Sequence, residues 1–289
     1  MSDAPKNNVE AHFQMLDNAN YFQRRRLLKQ HEPESPRFLY KFRQSENDDD
    51  ANRLREIVIG SELWLSSAGS FNDPFDMRVK FLYDAAPDEL HRRLRRFVQK
   101  QGVKSDEIES HVTRITALIE DGNWDRIQQK AVNKVGVCSF AGDPRSILMW
   151  SHYGANHRGL CLLFEIANDP RIFLQASPVR YTVKYPVVNW IKSFNNAAIL
   201  RMVLTKHKGW KYEQERRIVK LRSANTRLKF QPAALRAMIA GCRATPDTFA
   251  KLKKLLSERN ATGMPPITIY QCFQDASRYE LRIHRAPGF

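Results

Sequence analysis

The chain of 289 residues is 42% hydrophobic and 27% charged, and its 47 Lys and Arg outnumber 31 Asp and Glu for a formal net charge of +16. The apolar fraction excludes a disordered chain, Gly 12 and Pro 14 exclude a low-complexity one, and no stretch approaches the roughly 18 consecutive apolar residues of a spanning helix. The excess of cations points to a polyanionic partner, nucleic acid first, and the lack of a spanning run leaves no membrane expected.

The N-terminus, MSDAPKNNVEAHFQ, has neither a basic lead nor an apolar run and so predicts no secretory signal; together with four dispersed cysteines this places the chain in the cytoplasm. Residues 1–36 read as a basic helical arm, with Val9 to Gln30 helical around Arg24, Arg25 and Arg26, and residues 37–289 as one α+β domain. Phe38 to Arg43 (FLYKFR) alternates as a strand, and the acidic run Glu46 to Asp50 caps a helix over Ala51 to Ile59 that Gly60 stops. ELWLSS, Glu62 to Ser67, is a second strand, followed by the turn GSFNDPFD.

From about 87 to 135 the apolar spacing turns helical, with glycines between three segments, and reads as a helical insertion; its first helix carries Arg92, Arg93, Arg95 and Arg96. Strands return in KVGVCSFA, GLCLLFEI and VRYTVKYP. A helical stretch from Asn195 to His207 leads into GWKYEQERRIVKL. A helix near Pro232 to Ile239, a helix from Pro246 to Arg259 bearing Lys251, Lys253 and Lys254, and a closing strand pair ITIYQC and YELRIHR complete the chain. Strands broken by helices without regular βαβ alternation argue for α+β with a central mixed or antiparallel sheet.

Cys138, Cys161, Cys242 and Cys272 form no CxxC pair and no metal-ligand spacing, so free thiols are expected and no metal. Walker A, GxGxxG, GxSxG and HExxH patterns are absent.

Three segments remain. In Leu65 to Asp76, Asn72 and Asp73 sit between two phenylalanines in an Asn-Asp-Pro turn and Asp76 follows the second, either a well-made turn or polar groups held rigidly over a pocket. In Trp210 to Val219, a strand reading puts Glu213, Glu215 and Arg217 on one face and a helix reading pairs Glu213 with Arg217; two like charges so close require a cation, a proton or a ligand, unless the strand is a solvated edge. In Asp143 to Ile166, Trp150, His152, Tyr153 and His157 precede a buried strand, either as core or as contacts for a ring or phosphate.

Taken in order, LYKFR, ELWLSSAGSFNDPFD, VGVCSF with SILMWSHYGANHRGLCLLFE, and GWKYEQERRIV are similar to the bacterial domain-of-unknown-function 2971 family, over roughly Phe38 to Arg285. The layout of that family resembles the ADP-ribosyltransferase fold, which implies cleavage of the nicotinamide–ribose bond of NAD. The resemblance implies Tyr40, Lys41 and Arg43 as a first cofactor motif, where many relatives carry histidine or arginine, with Lys41 or Arg43 in place of the histidine form. It implies Ser66 and Ser67 as a second motif, the loop of Asn72, Asp73 and Asp76 closing over the ligand, and Glu213 or Glu215 with Arg217 as the catalytic group. Trp150, His152 and Tyr153 would add ring contacts, and the basic helices would gather a nucleic acid or a nucleic-acid-bound target, in stress or phage defence, with a neutralising partner protein to match. Two alternatives compete: a metal-dependent nuclease with Asp73, Asp76, Glu213 and Glu215 around Mg²⁺, and a non-catalytic nucleic-acid-binding module.

Overall fold

The computed structural model describes Val9 and residues 36–289 except 46, 194 and 195; the expected N-terminal arm, with Arg24, Arg25 and Arg26, lies outside the described residues. In chain order the elements are β1 (Phe38–Arg43), α1 (Asp48–Val58), β2 (Glu62–Ser67), β3 (Lys80–Leu82), α2 (Pro87–Lys100), α3 (Ile108–Glu120), α4 (Asn123–Val132), β4 (Gly136–Phe140), α5 (Ile147–Tyr153), β5 (Leu160–Glu165), α6 (Pro170–Phe173), β6 (Ser177–Pro178) and β7 (Arg180–Thr182). Then follow β8 (Val187–Asn189), α7 (Trp190–Ser193), α8 (Asn196–Val203), β9 (Thr205–His207), β10 (Arg216–Lys220), β11 (Thr226–Lys229), β12 (Leu235–Ala240), α9 (Pro246–Ala261), β13 (Thr268–Gln274) and β14 (Leu281–Arg285).

The class is α+β, as the segment order implies. One five-stranded sheet runs β1-β5-β12-β13-β14 and is mixed, since β12 and β13 pair parallel while its other neighbours are antiparallel. A second runs β11-β2-β4-β10-β6 and is antiparallel throughout. Two short parallel pairs, β3 with β8 and β7 with β9, lie beside them in sequence order. A bridge joins the large sheets: Tyr40 and Ala141 exchange backbone hydrogen bonds at 3.2 and 2.7 Å.

Alternation along the strands explains the layering. Leu39, Leu162, Phe164 and Met238 from the first sheet meet Leu65, Phe140 and Ile218 from the second, and Leu54 and Leu252 bring α1 and α9 onto the same core. The opposite face of the first sheet packs Tyr40, Phe42, Cys161, Leu163 and Ile239 against Trp150. The opposite face of the second, through Val137 and Val219, meets the helices α2, α3 and α4 with Leu94, Val98, Val112 and Trp124. The helical block therefore covers one face of a sheet that would otherwise lie bare.

Local signals explain the ends of α1, where Asn47 Oδ1 accepts from the Asp50 amide at 2.8 Å with three aspartates in the first turn. Two expectations need correction. The segment read as a helix near Pro232 to Ile239 is a short turn, Pro232–Ala234, followed by β12 in the middle of the mixed sheet. Leu235, Arg236, Ala237 and Met238 are good helix formers, but Met238 fills one core and Ile239 another, and burial on both faces outweighs propensity. The helix read through to His207 stops at Val203, and Thr205–His207 is the strand β9. The four cysteines are free thiols; Cys138, Cys161 and Cys272 are buried.

Candidate active site

The Asn-Asp-Pro turn does more than reverse the chain. Asp73 Oδ1 accepts the Phe75 amide at 2.9 Å, and the Asp76 amide donates to the Asp73 carbonyl at 3.1 Å. This tight turn carries the Asp76 carboxylate inward, where it is buried.

Arg217 waits for it on β10. Its register opposite Ser139 on the central strand β4 leaves it fully buried, and its guanidinium is saturated. It grips Asp76 with two bonds of 3.0 and 2.5 Å, grips Glu215 with two of 2.7 and 3.0 Å, and donates to the Val203 carbonyl at 2.6 Å. Such forked contacts are the strongest that carboxylates make.

The strand reading of Trp210 to Val219 is corrected in its first half. Lys208–Glu213 is a turn of 3-10 helix, Gln214 takes the left-handed region at φ 46°, and β10 begins only at Arg216. The left-handed residue swings Glu213 and Glu215 towards the same cation. Gly142 makes room for it, since a Cβ there would fall 2.7 Å from the Gln214 Cβ. The solvated-edge reading fails as well, because Glu213 and Glu215 are 3% and 5% exposed.

The shared cation is Lys206 on β9. Its Nζ lies 2.6 Å from Glu213 Oε2, 3.2 Å from Glu215 Oε2 and 3.7 Å from Asp76 Oδ2, and 4.9 Å above the Trp210 ring. The second oxygen of Glu213 accepts the Tyr153 hydroxyl at 2.8 Å, and Asn72 reaches that hydroxyl with its amide at 3.5 Å. The Glu215 amide donates to the Tyr181 hydroxyl at 2.8 Å.

The cluster holds three carboxylates and two cations, so with every group ionised it retains one negative charge. Its glutamates divide that load unequally. Burial pushes the Glu213 carboxyl up to about 7, with Lys206 opposing and Glu215 adding repulsion. Glu215 is subject to the same burial, but the Arg217 guanidinium outweighs it and holds the carboxyl down at about 2. For Lys206, too, burial is outweighed by its glutamates and the ammonium is strengthened. Two carboxylates of unlike protonation, side by side, form an acid/base pair whose members have different duties.

Lys206 and Trp210 also line a cavity of about 560 Å³, whose other walls come from Asp73, Phe75 and Arg78 after β2 and from Thr182 to Pro186 after β7.

The remaining expected residues separate into groups. Lys41 is brought near the cluster: its Nζ donates to the Ser139 carbonyl at 2.9 Å, and burial depresses its pKa. Arg43 is likewise depressed by burial, and its Nε is buried with no hydrogen-bond partner among the described residues. Ser66 pairs with Val137, two residues from Ser139, and so faces the same side of the sheet as Arg217, while Ser67 faces the other. His152 is exposed, 6.1 to 6.3 Å from the Tyr153, Trp210 and Tyr212 rings.

Tyr40, expected in the first cofactor motif, and Trp150, expected as a ring contact, are instead core residues. They are 2% and 0% exposed, and Trp150 donates to the Pro144 carbonyl at 2.7 Å and meets Phe42 edge-on, as a core residue does. Among the basic helices, Arg92, Arg95 and Arg96 on α2 are exposed and Arg93 is half-buried, with Arg95 3.1 Å from Glu109. On α9, Lys251 is 2.8 Å from Asp247 and Lys253 lies over the Phe289 ring, while Lys254 lines a groove against α1.

The Mg²⁺ alternative required open carboxylates. Here Lys206 and Arg217 stand between them, Asp73 is occupied by its own turn, and no three His, Cys, Asp or Glu among the described residues are placed to hold a metal ion. Among the described residues, no helix is long and apolar enough to cross a membrane.

A family model described as a protein of unknown function (DUF2971) matches residues 149–218, and the chain resembles that family over the stretch that carries Tyr153, Lys206, Glu213, Glu215 and Arg217. No curated protein and no solved structure matches the chain.

Proposed function

We propose that this chain is an ADP-ribosyltransferase-like enzyme that uses NAD and modifies a nucleic acid or a protein bound to one. The reading is carried by one observation, the pair of buried glutamates held around Lys206 with pKa values driven to about 7 and about 2. Glu215, ionised at any physiological pH, stabilises positive charge that develops beside it. Glu213, poised near neutrality, takes the proton of an incoming nucleophile. Tyr153 orients Glu213 from the side away from Lys206.

When bound, NAD supplies the electrophilic ribosyl carbon and nicotinamide as its leaving group. The residues present fit such a group in two respects. The unbalanced negative charge of the cluster suits a cationic ribosyl centre, and the unpartnered Arg43 Nε, with Lys41 on the same strand, suits a pyrophosphate. Ser66 and the Asn72 loop are the further candidates to hold it, and His152 to meet a ring. Further support is the order of parts, a basic β1, a β2 ending in serines and the glutamates at the head of β10, on two sheets joined at Tyr40 and Ala141. That support is analogy of layout.

The test is incubation with labelled NAD and separate pools of RNA, DNA and cell protein. Label transfer should appear in one pool and fall by about 100-fold or more in Glu215→Gln, with a thermal melt reporting that the variant is folded. No transfer to any pool, with no NAD-dependent rise in melting temperature, would sink the reading.

A further inference from the structure

Between Asp169 and Glu213 the chain contains eight Lys or Arg and no Asp or Glu. This block carries charge equal to half of the net +16, and the fold brings part of it to one place. The parallel pairing of β7 with β9 sets Arg180 opposite Thr205 and Thr182 opposite His207. The loop that leaves β7 carries Lys184 and Tyr185, and the turn that leaves β9 carries Lys208, Trp210 and Lys211. Both border the cavity beside the carboxylate cluster, and Arg78 and Phe75 close it from the Asn-Asp-Pro loop.

Two properties of this mouth are unusual together. Its lining cations Arg78 and Lys184 are exposed, as are Arg180, Lys208 and Lys211 on the bordering strand and turn, against a single lining carboxylate, Asp73, whose Oδ1 is engaged by its turn. Its aromatic side chains are uncovered as well, with Phe75 64% and Tyr185 46% exposed, and Trp210 half-buried over Lys206. Exposed rings interleaved with cations form a platform on which bases stack while phosphates track the charge; a duplex, whose bases are already stacked, cannot use the rings.

We infer that this mouth binds single-stranded nucleic acid, with a base seated among Phe75, Tyr185 and Trp210 and the flanking phosphates on Arg78, Lys184 and Lys208. The role of that strand as acceptor rests on the transferase reading above; its binding does not. The exposed arginines of α2, by contrast, lie on the helical block and do not line this cavity.

Binding is measured without NAD, by fluorescence anisotropy of end-labelled oligothymidylate and oligouridylate of about twelve nucleotides, beside a duplex of the same length. Both single strands, or either, should bind with a steep salt dependence. Lys184→Glu with Lys208→Glu should weaken binding by about tenfold or more, and Tyr185→Ala by about fivefold or more through lost stacking. Arg92→Glu with Arg95→Glu should change it by less than about twofold. All of these substitutions are at exposed positions, so the fold is expected to persist, and a thermal melt checks it. The inference is overturned if neither strand binds, if the α2 variant loses as much as the mouth variant, or if duplex binds as tightly and with the same sensitivity. Strand binding without label transfer leaves this site standing and removes the transferase; label transfer without strand binding does the reverse.

Discussion

Arg217 and Arg259 are both fully buried, yet they are buried for different purposes. Arg259, in the last turn of α9, donates to the carbonyls of Val58, Pro232 and Pro265 and thereby ties α9 to the end of α1 and the entry to β12. Its neighbours are neutral dipoles, and burial lowers its pKa. Arg217 suffers the same burial, but Glu215 and Asp76 overcome it and drive the pKa upward. The first is a clamp, in which a charged fork spans orphan carbonyls. The second belongs to a network of like and unlike charges beside a cavity, which costs more desolvation than holding strands together requires. A buried charge surrounded by carbonyls marks structure, and one surrounded by surplus carboxylates at a pocket wall marks a site.

The widest separation between the two comes from truncating each. Arg217→Met should cost about 3–5 kcal/mol, because Asp76 and Glu215 are left buried without their main counter-charge. Urea denaturation measures it. A loss no greater than that of a surface substitution would mean that water or Lys206 takes over and that the network does not depend on Arg217.

The pH dependence comes next, and here the two glutamates pull in opposite directions. Glu213 titrates near 7 when folded against a reference of 4.5, so the folded state binds more protons between those values. Stability therefore falls as pH rises through that window, by about 3 kcal/mol at most. Glu215 is depressed to about 2, so its contribution is present above 4.5 and is lost as pH falls from there. Glu213→Gln should flatten the fall between pH 4.5 and 7 and leave the acid-side loss in place. A fall that persists in this variant would assign the effect elsewhere. Arg259→Met, the structural counterpart, should cost about 1–3 kcal/mol for its unsatisfied carbonyls, with no change in the shape of the pH profile.

How much of this could be read in advance differs between the same two kinds of contact. Asp76, Glu213, Glu215 and Arg217 stood out because charged residues at short intervals inside apolar or turn-forming segments are costly without partners. Which partners they take was hidden: Arg217 and Asp76 are 141 residues apart, and no local period connects them. Lys206 was missed for a more specific reason. Carrying the helix through to His207 concealed β9, whose Thr-Lys-His alternation puts Lys206 inward. The eight cations without an acid between Asp169 and Glu213 were visible as composition, but only the pairing of β7 with β9 brings some of them to one opening. Trp150 failed in the other direction, since an aromatic beside histidines looks like a contact residue until its ring is found inside the core. Arg259 gave no signal, since a lysine- and arginine-rich helix does not announce which cation turns inward.

The smallest effect tests the finest feature, the division of Glu213 between two partners. Tyr153 donates to one oxygen and Lys206 to the other, at 2.8 and 2.6 Å. The Tyr153 bond favours the charged carboxylate and works against the rise that burial imposes. In Tyr153→Phe the ring packing survives and only the hydroxyl is lost, so the Glu213 pKa should climb further and the acid limb of label transfer should move to higher pH. The shift should stay below about one unit, because Lys206 still holds the other oxygen. Stability should drop by about 0.5–1.5 kcal/mol at pH 8, where Glu213 is mostly ionised and needs the donor. At pH 5, where it is mostly protonated, the loss should be smaller. Thermal denaturation at the two pH values separates the cases. An equal loss at both would show that the Tyr153 hydroxyl, at the end of α5, acts independently of the charge on Glu213, whose protonation would then be set by burial and Glu215 against Lys206.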